Sequence, residues 1–138
     1  MSIFNENGDI QRERLKPLND SFRKDRGGSS EFLDLFCTSC DSYIGTYQKD
    51  GSGNLHRLYV DRIHTPYEQY EGPFNELKSM PALHCPNPQC DAELATPMIY
   101  TKENRLAYRI ISSIRKRRNY SGKYPPEDIN KEDLFVES

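Results

Sequence analysis

Cys37-Thr38-Ser39-Cys40-Asp41-Ser42-Tyr43-Ile44-Gly45-Thr46 and its later echo Cys85-Pro86-Asn87-Pro88-Gln89-Cys90-Asp91-Ala92-Glu93-Leu94-Ala95-Thr96 hold all four cysteines of a 138-residue chain. The pairs are spaced Cys-x2-Cys and Cys-x4-Cys, both within the range used by structural zinc. Two thiolates in one tight loop can point at a single cation, and a second loop completes the tetrahedron at about 2.3 Å per bond. Cys37, Cys40, Cys85 and Cys90 are therefore the expected ligands of one structural Zn²⁺. Two disulfides, a redox pair or an iron ion in the same sulfur cage are the alternatives. An aspartate, Asp41 or Asp91, follows each pair where the chain must turn sharply. Aspartate enters the left-handed region more readily than most residues.

Aligned on Cys40 and Cys90, the two halves match further. Each continues through an aromatic, a lysine-containing turn and an asparagine (Asn54, Asn104) into an apolar run, Leu58–Ile63 or Leu106–Ile111. Two knuckle-and-hairpin units would meet at the ion by pseudo-twofold symmetry. Leu106, Ile110 and Ile114 also fit a helical stripe. The repeat favours a strand there, because the first copy follows the turn signal Lys49–Asn54.

Working outward, Glu31–Phe36 reads as a strand entering the first knuckle, and Tyr43–Gln48 with Leu55–Ile63 as a hairpin. Leu94–Tyr100, the turn Thr101–Asn104 and Arg105–Ile111 form the second. The expected fold is mainly β: a small antiparallel two-sheet domain with two pseudo-symmetric units, over residues 31–118. Residues 1–30 form a polar arm, with a short helix possible near Ile10–Lys16. Residues 119–138 form an acidic flexible tail. Residues 64–84 are long for a plain connection and carry Tyr67, Tyr70 and Phe74, with a short helix expected near Phe74–Ser79.

Leu, Ile, Val and Phe make up about a fifth of the chain, the edge of what a self-sufficient core needs. A structural zinc can contribute about 10–16 kcal/mol, as much as the whole net stability of an ordinary domain. Nothing approaches the ~18 apolar residues of a membrane span. The N-terminal residues have neither a basic nor an apolar signal region. A cytoplasmic protein is expected, or a nuclear one if the source has a nucleus.

The long gap between the cysteine pairs resembles the zinc β-tent group, which includes Yippee-like proteins and the cereblon-type ligand-binding domain; zinc ribbons have a shorter gap. The resemblance spans about residues 32–116 and implies two antiparallel sheets pinned by distant cysteine pairs. It assigns a metal role to Cys37, Cys40, Cys85 and Cys90. The chain departs from it in the Cys-x4-Cys spacing and in having no tryptophan for an aromatic cage.

No enzyme is expected. Some β-tent relatives reduce methionine sulfoxide with a separate cysteine, and here none remains once the metal is served. His-x-Glu deaminase, Gly-x-Ser-x-Gly, P-loop and His-Glu-x-x-His patterns are absent. His84 abuts Cys85, but four thiolates fill the shell, and His56 and His64 have no partner at ligand spacing. Charge is segregated: residues 31–100 carry −6, residues 101–124 carry +7, and residues 125–138 carry −4. The basic segment, Arg109, Arg115, Lys116, Arg117, Arg118 and Lys123 with Tyr120, suits nucleic acid or a ribonucleoprotein through phosphate contacts and stacking. The alternative is a protein-interaction module that uses Tyr67, Tyr70 and Phe74. The acidic tail (Glu127, Asp128, Glu132, Asp133, Glu137) has the charge to fold onto the basic run and mask it.

Overall fold

Each cysteine loop is the bend of a strand pair, and the rest of the fold follows from where those pairs send their continuations. The computed structural model of the chain describes residues 3–111 and 114–135; Val136 and Glu137 of the tail lie outside the described residues. The elements are β1 (Glu13–Arg14), α1 (Ser21–Asp25), β2 (Ser30–Cys37), β3 (Tyr43–Asp50), β4 (Arg57–Tyr59), β5 (Ile63–His64), β6 (Leu83–His84), β7 (Glu93–Tyr100), β8 (Arg105–Ile110), β9 (Ile114–Arg118) and β10 (Lys123–Tyr124). Sheet one has the order β5-β3-β2-β9, sheet two β4-β8-β7-β6, and β1 pairs with β10; all pairings are antiparallel. No helix among the described residues is long and apolar enough to cross a membrane.

The repeat is structural. β2–β3 and β6–β7 bend around the two cysteine loops, and each pair shifts register just before its loop, between Leu35 and Phe36 and between Leu83 and His84. A bulge adds local twist at the same point in both copies. The units then exchange strands. β4, from the first, pairs with β8 of the second, and β9, from the second, pairs with β2 of the first. Ile110 and Ile114 therefore lie in different sheets, and the apparent helical stripe is a coincidence of spacing.

Three elements differ from the sequence expectation, the first of them the return strand. Leu55–Ile63 is not a single return strand beside β3. Its first part joins sheet two as β4, a 3₁₀ turn at Val60–Arg62 interrupts it, and only β5 pairs with β3, Thr46 opposite His64 and Tyr47 opposite Ile63. The cause is Arg62. Its fully buried guanidinium is held by Asp20 (2.6 Å), Asp50 (3.0 Å) and Asp61 (3.3 Å), which pins the turn where a straight strand would continue. Close approach of β5 also needs Gly45, where a Cβ would lie 2.6 Å from the His64 carbonyl oxygen. The polar arm, where the sequence allows a short helix near Ile10–Lys16, instead forms strand β1, and the short helix expected near Phe74–Ser79 is a single 3₁₀ turn at Leu77–Ser79.

The main core fills the space between the sheets, with Leu33, Leu35, Tyr47, Leu58, Leu94 and Tyr108 buried together. A second cluster covers the other face of sheet one. Phe36 and Tyr43 pack there with Tyr124, Ile129 and Leu134 of the C-terminal segment, against Ile3, Phe4, Ile10 and Leu15 of the arm. β2 is thus covered on both faces, which explains why its apolar residues alternate only partly. Polar groups tie the extensions down. The Gln48 amide bonds both the N–H and the C=O of Leu18 (2.8 and 3.1 Å). Arg12 donates to the carbonyls of Pro125, Pro126 and Ile129. Asp34, 1% exposed, accepts from Thr46, Asn119 and Arg117.

Candidate metal centre

The backbone of each loop folds back on itself in the same way. The Cys37 N–H donates to the Ser42 carbonyl (3.0 Å), and the Cys85 N–H donates to the Ala92 carbonyl (2.8 Å). The turn inside each closes on a further bond, Asp41 N–H to the Cys37 carbonyl (2.7 Å) or Asp91 N–H to the Asn87 carbonyl (2.9 Å). Asp41 (φ 64°) and Asp91 (φ 48°) both take the left-handed conformation expected of them. The two extra residues of the longer loop are absorbed by an Asn87 turn, whose side-chain oxygen accepts from the Gln89 N–H (3.0 Å).

These turns aim four sulfurs at one point. The Sγ atoms of Cys37, Cys40, Cys85 and Cys90 all lie within 4.8 Å of one another. Cys37 Sγ is 3.8 Å from Cys90 Sγ, and Cys40 Sγ is 3.4 Å from Cys85 Sγ. When the loops are aligned on Cys40 and Cys90, those two contacts correspond to one another. Both are far longer than the ~2.05 Å of a disulfide, and all four thiols are free. A tetrahedron of sulfurs about 2.3 Å from a central zinc-like ion has edges of about 3.8 Å. The cluster has that size, so the donor set fits one thiophilic metal ion.

The thiols are not equivalent. Burial disfavours the Cys40 thiolate, but the Ser42 hydroxyl, 3.1 Å away, and other hydrogen bonds outweigh it and bring the thiol down to about 6. Burial dominates at Cys85 and pushes its thiol up. A bound cation reverses such penalties by deprotonating its thiols. His84 stands outside the cluster, with Nδ1 3.4 Å from an Asp91 carboxylate oxygen.

The basic segment does not form one patch. Arg115 and Arg117 leave one face of β9: Arg115 pairs with Asp41 (2.7 Å), and Arg117 with Asp128 (2.6 Å) and Asp34 (3.1 Å), both against the Phe36 ring. Lys123 pairs with Glu127 (2.9 Å). Lys116 and Arg118 leave the other face, exposed and without a carboxylate partner among the described residues, and the Arg118 guanidinium lies 5.7 Å from the ring of Tyr120, itself 85% exposed. Arg109 belongs to the other sheet, opposite Arg57.

No family model, no curated protein and no solved structure matches the chain. The β-tent resemblance therefore stands at its coarse level, a mainly β domain with four cysteines at metal-binding distance.

The aromatic loop divides. Tyr67 and Tyr70 are buried, not offered to a partner: the Tyr67 hydroxyl accepts from the Phe135 N–H, and the Tyr70 hydroxyl from the His84 N–H (3.0 Å). Phe74 lines a cavity of about 690 Å³ with Val60, Ile63, Leu77, Ile99 and Leu106. Sequence reasoning missed Arg62 and Arg105, both buried. Arg105 pairs with Asp61 (2.7 Å) and Glu103 (3.3 Å), and its guanidinium is 3.9 Å from the Phe22 ring and 3.8 Å from the Tyr59 ring. Nothing in the local sequence distinguishes these arginines from exposed ones.

Proposed function

We propose that this chain is a zinc-stabilised, non-catalytic binding module whose basic edge strand contacts nucleic acid or a ribonucleoprotein. Zinc is the favoured occupant because four thiolates at tetrahedral spacing satisfy an ion without geometric preferences of its own. The observation that carries the partner is the split of β9. The strand lies at the edge of sheet one, and Lys116 and Arg118 are exposed on one of its faces beside the exposed Tyr120 ring. Two cations without a carboxylate partner among the described residues, and an aromatic, suit phosphates and a stacked base of a single strand.

Elemental analysis of the reduced protein should return one zinc per chain; a metal-free, folded chain refutes the zinc. Filter binding of single-stranded RNA and DNA across a salt series tests the partner. Changing Lys116→Gln and Arg118→Gln together should weaken binding and lower the salt slope by about 1.4, two single-strand phosphate contacts. No binding at low salt, or an affinity indifferent to salt, refutes it.

A second reading, protein interaction, is favoured by the Phe74 cavity, whose Leu77 and Ile99 are exposed. Co-purification with Phe74→Ala tests it, and unchanged partner recovery counts against it.

A further inference from the structure

We propose that the outer face of sheet two carries a separate binding site for an organic phosphate, built on Arg57 and Arg109. The two arginines are direct cross-strand partners in the β4–β8 pair. Their side chains therefore leave the same face with Cβ atoms about 5 Å apart. Like charges directly opposite one another destabilise a sheet. This acidic chain nonetheless places no carboxylate partner on either guanidinium among the described residues. Such an arrangement is stabilised by an anion that bridges both.

The surroundings are built for one. Arg57 is held in place: its Nε donates to the Tyr59 hydroxyl (3.3 Å), and its guanidinium lies 4.1 Å from the centre of the Tyr100 ring. Its terminal nitrogens have no hydrogen-bond partner among the described residues. Arg57 and Arg109 line one cavity of about 370 Å³ with Leu55, His56, Met98 and Ile110, and no acid lines it. An adjoining hollow of about 180 Å³ shares Leu55, His56 and Arg57 and adds Lys49, which donates to the Gly51 carbonyl (2.8 Å), and Arg26, which is paired with Glu103 (2.8 Å). Its one acid, Asp50, is engaged by Ser30, Gln48 and Arg62.

A phosphate monoester has the charge and the acceptor oxygens to take hydrogen bonds from both guanidiniums at once. Met98, on the same face as Arg109, gives an uncharged body an apolar floor, and the larger cavity falls in the range of small-molecule sites, about 300–1,000 Å³. The ligand class is a phosphomonoester of nucleotide size. The site is on a different sheet from the Lys116–Arg118 edge, so it holds whether or not that edge binds nucleic acid.

The test is a titration of the purified full chain followed by methyl NMR of Met98, with buried Met80 as an internal control. Adenosine 5′-monophosphate, inorganic phosphate and a single-stranded oligonucleotide are the three probes. The monophosphate should shift Met98 saturably and leave Met80 in place, and inorganic phosphate should act at the same site more weakly. Arg109→Gln should weaken monophosphate binding by about tenfold or more, the loss of one charge-assisted contact. The same variant should melt no lower than the parent, because it removes a repulsion. Lys116→Gln should leave monophosphate binding unchanged. No Met98 shift at millimolar monophosphate overturns the proposal, as does an Arg109→Gln variant that binds equally well. Binding of the oligonucleotide alone overturns it too, and would assign the arginine pair to a nucleic-acid backbone.

Discussion

Removing the metal should unfold this protein, not merely loosen it. The two cysteine loops lie at the ends of β2–β3 and β6–β7, one in each sheet, and the sulfurs that join them are separated by 3.4–3.8 Å with no covalent bond. Without the ion, four thiols face one another unbonded and the loops have only their short internal hydrogen bonds. A structural zinc contributes about 10–16 kcal/mol, against a net stability of about 5–15 kcal/mol for an ordinary domain. The metal-free chain is therefore expected at or below zero net stability. Chelation at neutral pH should collapse the dispersed amide NMR spectrum and the β-sheet circular dichroism, and one equivalent of zinc should restore both. X-ray absorption of the loaded protein should give four sulfurs at about 2.3 Å. Cys90→Ser and Cys40→Ser, exchanged by the pseudo-twofold, should lose metal to a similar degree. A chain shown to be metal-free that melts at the same temperature as the loaded one would refute the reasoning, because the sheets would then be held by the core alone.

Arg62→Met should cost about 3 kcal/mol, measured by the urea midpoint, since it leaves the buried Asp50 carboxylate without its cation; Asp20, which reaches solvent, keeps the loss at the low end. The Arg62 guanidinium bonded to Asp20 pulls its carboxyl from 3.8 to about 2. That depressed value stabilises the fold fully above about pH 4 and the contribution is lost as pH falls toward 2, so Asp20→Asn should flatten acid unfolding across that window. Replacing Glu127 and Asp128 by alanine frees Lys123 and leaves Arg117 with Asp34 alone, and nucleic-acid affinity at low salt should rise severalfold; unchanged affinity would show that the tail does not mask the basic segment.

The four-cysteine cluster was largely legible in the sequence, because the geometry of a short loop is local. A Cys-x2-Cys or Cys-x4-Cys loop brings two thiols together through its own turn, and Asp41 and Asp91 mark where that turn goes left-handed. The repeat was legible for the same reason. The basic segment was legible only as composition. Period-two alternation along β9 sends Arg115 and Arg117 to a face where Asp34, Asp41 and Asp128 await them, and leaves Lys116 and Arg118 for solvent. Asp34 and Asp41 flank the first cysteine loop and Asp128 lies in the tail, so the acids come from two separate parts of the chain. The fate of Tyr67 and Tyr70 was hidden too, since an aromatic in an irregular loop reads the same whether it faces a partner or the core.

By itself, the sequence determined the four cysteines that cluster, the two bends that carry them, the strand character of the segments around those bends and their duplication. Tertiary structure alone decided that β4 and β9 cross between the units, that Arg62 is buried among three carboxylates, that Arg57 stands opposite Arg109, and that arm and tail cover sheet one. The division has one physical source. A turn or a short chelating loop is settled by residues a few positions apart, whereas strand exchange and charge pairing depend on which distant faces meet once the apolar surfaces have been buried.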